Sequence, residues 1–487
     1  CAPGIFCAVH IFTAPGDPLV TVRLAGDLGQ IAEGTIRVHV EGPALTPSGG
    51  VSFLPDRLPA PAGSDLWLAN DGDFPTLVRA TLQPGGSSID LTLAPGSTLL
   101  VPRGLPGQGA LLLSYLMPAA AAGTEPRVRA FSRSLAALTP DEPEAEWTAG
   151  EKWVAGVPGG DGSVATLRIN NLDDAPGQAA VDLADSTGQP VAGTVLVDLG
   201  PRASRSLRLD RRFPGMAEHT GPFSVRIASE GVRFSAGVAL AGGELQAPLL
   251  LPAKAASGAG SLIVPRVARG PGAFDSFQLS RLIAANPSPL PRDILCELWL
   301  RGSGGTPART VTLTLPARGS VVVEDVLHDL FGLAQGLGAL RISWSDGGPA
   351  PRVLSLALST RPGGAGNRFA ALVDSRAPEE TAVGRSLDFG AEPSTFTRAS
   401  WGAIDLGDAP AELRLTLRDA FGSVAASTLV TLRPRQPFER TLQAIFPQAV
   451  TGRWTVGAEI LSGGPVQTWI VQTGAGGDVS FMPGRPD

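Results

Sequence analysis

The residues best suited to chemistry are few and widely spaced. Four histidines occur in 487 residues, His10, His39, His219 and His328. No two stand four apart, so no helix face offers a zinc pair, and a histidine-based triad would need distant convergence. His39 sits in an alternating strand pattern and His328 precedes Leu330-Phe331; both read as surface or packing residues. Gly302-Ser303-Gly304-Gly305 is Gly-rich, but no lysine and no helix opening follows, so it reads as a hairpin turn and not a phosphate cradle. Two acidic turns, Asn70-Asp71-Gly72-Asp73 and Asn170-Asn171-Leu172-Asp173-Asp174, carry oxygen ligands of the kind calcium takes. Neither follows the EF-hand pattern, and the same residues are ordinary turn formers. Asp141, Glu142, Glu144 and Glu146, interleaved with Pro140 and Pro143, read as a solvated linker. Trp147 and Trp153 beside it offer either a sugar-stacking face or a packing contact between modules, and we take the packing reading. The expectation is a protein without catalytic residues, cofactor or metal.

The three cysteines divide into a pair and a singleton. Cys1 and Cys7 flank five residues, and a disulfide between them suits an extracellular setting. The alternative is a lipid anchor on Cys1, with which Ala2 is compatible. Cys296 lies in the strand pattern Ile294-Leu295-Cys296-Glu297-Leu298 and reads as a small buried hydrophobe.

These residues must be positioned by a β framework. The 61 Gly and 44 Pro are spread along the chain between short apolar alternating runs, which marks many turns and not a disordered tract. Charged residues are only 17%, Lys152 and Lys254 are the sole lysines, and no basic stripe occurs, so nucleic-acid binding is not expected. No run approaches the ~20 apolar residues of a membrane-crossing helix. The longest, 110–123, is broken by Pro118. Starting at Cys1, the chain fits a cleaved secretory signal, which places it outside the cell or on its surface.

Self-similarity recurs at a period of about 100–120 residues. One strand ends in a polar turn four times: Leu66-Trp67-Leu68-Ala69-Asn70, Leu167-Arg168-Ile169-Asn170-Asn171, Leu282-Ile283-Ala284-Ala285-Asn286 and Trp401-Gly402-Ala403-Ile404-Asp405. A later pair of strands is kinked at Pro95, Pro201, Pro316 and Pro434, as suits a residue that cannot donate to a ladder. One apolar helical turn follows in three copies, around Phe213, Phe331 and Phe446. About seven alternating strands per copy predict an all-β fold of about four tandem immunoglobulin-like β-sandwich domains with an extended N-terminal arm, each sheet wet on one face. The boundaries are 1–45 for the arm, then 46–140, 141–252, 253–376 and 377–487. In the arm, Leu19, Val20, Val22 and Leu24 form a candidate assembly strand, completing the first sandwich or adding to a neighbouring subunit.

The third copy, with Leu282-Ile283-Ala284-Ala285-Asn286-Pro287, Val321-Val322-Val323, Leu330-Phe331-Gly332 and Leu358-Ser359-Thr360-Arg361, resembles the tandem repeats of secreted or surface proteins of acidobacteria and related bacteria. The resemblance implies an extracellular sandwich array and no active site. The expected function is a structural protein of the bacterial exterior: a stiff rod serving as subunit of a fibre, sheath or surface layer, self-assembling or meeting other surface proteins. An adhesin or accessory binding module is the alternative.

Overall fold

A computed structural model describes residues 148–486 except 160–161, 220, 256–259 and 361–367. Before these it describes 19–25, 31–37, 46–54, 65–70, 72, 74–83, 88–101, 110–117, 128–134, 137–140 and 142–143. The protein is all-β, and its strands group into four sandwiches.

The arm holds β1 (Leu19–Ala25) and β2 (Ile31–Arg37), paired antiparallel as a separate two-stranded sheet with Leu19 opposite Arg37. The candidate assembly strand is thus a strand, and among the described residues it joins no module sheet. Cys1, Cys7 and His39 lie outside the described residues.

Module 1 comprises β3 (Thr46–Leu54), β4 (Asp65–Asn70), β5 (Thr76–Gln83), β6 (Ser88–Leu93), β7 (Thr98–Val101), β8 (Ala110–Met117), β9 (Val128–Ser134), β10 (Ala137–Pro140) and the short β11 (Glu142–Pro143). Module 2 has β12 (Thr148–Val157), β13 (Ser163–Asn171), β14 (Gly177–Ala184), β15 (Val195–Leu199), β16 (Ser204–Arg208), the helical turn α1 (Leu209–Arg212), β17 (Phe223–Gly242) and β18 (Leu245–Pro252). Module 3 has β19 (Ser261–Pro271), β20 (Phe277–Ala285), β21 (Arg292–Leu300), β22 (Arg309–Leu315), β23 (Ser320–Val323), β24 (Gly336–Ser343), β25 (Arg352–Thr360) and β26 (Phe369–Asp374). Module 4 has β27 (Arg385–Ala391), β28 (Thr397–Asp405), β29 (Ala411–Arg418), β30 (Val424–Leu432), β31 (Phe438–Thr441), α2 (Leu442–Ile445), β32 (Trp454–Ser462), β33 (Val466–Gly474), β34 (Val479–Pro483) and β35 (Arg485–Pro486).

One plan repeats. The outer sheet of module 4 runs β30-β29-β32-β27-β35 and its inner sheet β31-β28-β33-β34; module 1 matches as β6-β5-β8-β3-β11 and β7-β4-β9-β10. In module 2 the 20-residue β17 serves both sheets, its first half beside β12 and β14, its second beside β13 and β18. The sandwich is as expected, with one refinement of strand order. In an immunoglobulin domain the sixth strand lies between the third and the seventh. Here the sixth (β8, β24, β32) lies between the third and the first, and the seventh (β9, β25, β33) pairs with the second, in module 3 within one sheet that β19 continues into β20. The one-turn helices also hold: Phe213, Phe331 and Phe446 follow helical turns and plug the cores, all but fully buried.

The polar ends of β4, β13 and β20 share one mechanical role. Asn70, Asn171 and Asn286 are buried, and each side-chain amide donates across the module to the carbonyl that opens the kink turn: Ala94 (3.3 Å), Gly200 (2.9 Å) and Pro316 (3.1 Å). Each Oδ1 meanwhile accepts the backbone N–H two residues on. The kinks are β-turns with a left-handed third residue, Gly96, Arg202, Arg318 and Arg435. Proline suits the second position, where Pro95, Pro201 and Pro434 stand, because the turn fixes φ there near the proline value. Pro316 stands one residue earlier.

Module 4 breaks the pattern, because Asp405 replaces the asparagine. Its Oδ1 accepts the Gly407 N–H at 2.8 Å, but Oδ2, where the others carry a donating nitrogen, is buried without a partner. Burial pushes its pKa up, against the N–H groups of Gly407 and Ala411 and the charge of Arg435. Because the folded form holds its proton more tightly than the unfolded chain, stability is lost as pH rises above the ordinary carboxylate range. Asp405→Asn should therefore stabilise the protein by about 1–2 kcal/mol at pH 7, by supplying the missing donor, and by less at pH 4. Thermal melts at the two pH values check this.

Candidate functional site: the module junctions

The modules do not string out as a rod. The inner-sheet edge strands β10, β18, β26 and β34 meet one another around a centre: β10 beside β18, β18 beside β26, β26 beside β34, and β34 beside β10. The four sandwiches therefore close into a ring. The β14–β15 turn abuts the kink turn of module 3, where Ser320 N–H donates to Ser186 O and Ser224 Oγ to Arg318 O. Contact is so close that a Cβ on Gly188 would lie 1.8 Å from the Ala317 carbonyl oxygen. The Gly302–Gly305 segment, a hairpin turn as read, abuts module 4, with Gly302 N–H donating to Gln436 Oε1. The β29–β30 turn abuts module 1, where Thr98 N–H donates to Ala420 O and the Thr98 and Thr455 hydroxyls lie 2.7 Å apart.

Behind these turns the inner sheets of modules 3, 4 and 1 each pack against the preceding module in the ring. Ile283, Ala285, Leu354, Leu356 and Leu358 of module 3 join the core of module 2. Ile404, Trp469, Val471, Val479 and Phe481 of module 4 join that of module 3, and Trp67 and Ala69 of module 1 join that of module 4. The central strands β4, β20, β25 and β33 of these sheets are thus buried on both faces over most of their length, against the expectation of one wet face. Outer sheets keep it: β29 alternates buried and exposed along its first half.

Three largely shielded polar groups mark the junctions and their neighbourhood. Between modules 2 and 3, Asp374 meets Lys254 at 2.7 Å and Arg352 at 2.5 Å. Burial alone would raise its pKa, but the two cations hold it down at about 2. A small open crevice beside them is lined by Trp153, Lys254, Leu262, Pro351, Arg352 and Glu380. Between modules 3 and 4, the nearly fully buried Arg266 donates to Glu439 at 2.8 Å and to Gln278 at 3.0 Å, and Trp469 Nε1 donates to the same Glu439 at 3.1 Å. Burial opposes ionisation of Glu439, yet Arg266 and Trp469 keep its pKa below the usual range.

The third group lies inside module 4. Asp388 is buried and accepts from Trp401 Nε1 at 2.8 Å and Thr468 Oγ1 at 3.0 Å, with the Ser386 hydroxyl 2.7 Å from that of Thr468. Burial raises its pKa to about 7, against these donors and Arg376. That value would serve a general acid or base. The packing denies it that role, because Gly484 lies so close that a Cβ there would be 1.9 Å from Thr468 Oγ1 and 2.5 Å from Asp388 Oδ1. Sequence reasoning missed Asp388; its one signal was an acid within the strand run Ser386-Leu387-Asp388-Phe389.

The residues singled out by sequence fall into place separately. Trp153 is buried, as the packing reading holds, and Trp147 lies outside the described residues. His219 lies 3.7 Å from Asp185 and His328 bonds Asp329 on the surface. Cys296 is buried, and burial raises its thiol to about 12, which makes it inert. In the second acidic turn Asp173 is held by Arg233 and Asp174 by Arg202, so arginines take the oxygens a cation would need. Asp71 and Asp73 of the first lie outside the described residues. The acidic linker is more than a solvated tether: Glu142–Pro143 pairs with Phe53 and Ser52 of β3 as an edge strand.

No family model matches the chain, and no curated protein does. Among solved structures, Streptomyces avermitilis α-L-rhamnosidase complexed with L-rhamnose is similar at 12% identity and a TM-score of 0.13, covering 83% of this chain and 55% of that one. The chain spans about half the length of that protein, and a likeness at this level carries no argument.

Proposed function

We propose that this chain is a non-catalytic structural protein of the bacterial cell exterior, a rigid block that builds a sheath or surface layer with other copies or other surface proteins. The observation that carries this reading is the ring closure. Sandwiches locked by two-faced inner sheets and buried ion pairs form a stiff body, and their outer sheets present strands for lateral contact. A ring favours a layer or stacked sheath over the extended rod. The sandwich-repeat resemblance supports the exterior location. Electron microscopy of the purified protein should show ordered arrays or stacks as concentration rises. Single ring-shaped particles at every concentration would overturn the assembly role.

A further inference from the structure

Each outer sheet has two edges, and the protein treats them differently. The edge formed by the first strand is covered at every module by the segment that follows that module's last inner strand. β11 pairs with β3, and β35 with β27. Lys254 bridges to Trp153 of β12, and Arg376 to Ile263 of β19. The opposite edge, β6, β15, β22 or β30, has a partner on one side only among the described residues. An uncovered strand edge invites pairing unless it is short or charged. β6 is six residues with Asp90 bound to Arg79, β15 is five with Asp198 bound to Gln178, and β22 begins with Arg309.

β30 has none of these protections. It is nine residues, Val-Ala-Ala-Ser-Thr-Leu-Val-Thr-Leu, without charge or proline. Val424 and Leu429 on it are 57% and 58% exposed, and Phe421 in the preceding turn is 67% exposed. It is also self-complementary. An antiparallel pairing about a twofold axis at Thr428 sets Thr428 against its own copy, Ala426 against Val430, and Ser427 against Leu429. No like charges meet across such a seam. We infer that β30 is the strand by which a second copy of this chain docks, joining the outer sheets of two fourth modules into one continuous antiparallel sheet.

This inference rests on the assembly reading and names its contact. The test is sedimentation velocity of the full chain over a concentration series, with Ser427→Lys/Leu429→Lys compared against Thr312→Lys on β22. Residues 427 and 429 are exposed, so folding should be kept, and unchanged melting curves verify that. The wild type should dimerise, the β30 variant should associate at least tenfold more weakly, and the β22 variant should match the wild type. If the wild type assembles and the β30 variant assembles equally well, the seam is elsewhere and the assembly reading stands. A wild type that stays monomeric overturns both.

Discussion

Asp388→Asn should make the protein markedly more stable at pH 8 and leave it nearly unchanged at pH 4. An unfolded aspartate titrates near 3.9, whereas the folded Asp388 titrates at about 7. The folded state thus binds the proton more tightly, and stability declines as pH rises from about 4 to 7 and is level above. Three pKa units correspond to on the order of 4 kcal/mol. Asparagine removes the buried charge while keeping an oxygen for Trp401 Nε1. The Thr468 and Ser386 hydroxyls can reverse their donor and acceptor roles to receive its amide nitrogen. Melting temperatures of both proteins between pH 4 and 8 should diverge across that window. A constant difference would show that Asp388 does not titrate in it.

Glu439→Ala should produce the largest loss. It strands the nearly fully buried Arg266 and removes the acceptor for Trp469 Nε1 at the junction of modules 3 and 4. Removing one partner of a buried pair costs about 3–5 kcal/mol, because the remaining charge is left desolvated. Adding Arg266→Met should recover most of it, since an apolar side chain of similar length suits the site. Urea unfolding followed by tryptophan fluorescence reads both variants. A double variant as unstable as the single one would show that the cost lies in lost packing and not in the stranded charge.

The repeats, the kink prolines, the phenylalanine plugs and the turn at Gly302–Gly305 were legible because each depends on a few neighbouring residues. The ring was not, because it depends on which module meets which. A trace of it was nevertheless present. Leu282-Ile283-Ala284-Ala285 and Trp469-Ile470-Val471 lack the alternation of a sheet with one wet face, and the structure buries both of their faces. Asp405 was missed for a different reason. An acid at the end of a strand looks like a turn former, and only the amide hydrogen bonds of Asn70, Asn171 and Asn286 show that Asp405 stands where an amide is required. Asp388 sits in mid-strand, and its burial depends on Trp401, Thr468 and Gly484, which lie far from it in sequence.

Closure of the ring also changes what a cut in the chain can do. In a linear array, one cleavage between modules separates two pieces. Here each module touches neighbours on two sides, so the pieces remain joined at two junctions. Releasing a module requires both contacts to open together, while either intact contact keeps the other's partners at high effective concentration. A protein nicked once between sandwiches should keep its shape and its exposed β30 seam, a tolerance useful to any particle that must last among proteases.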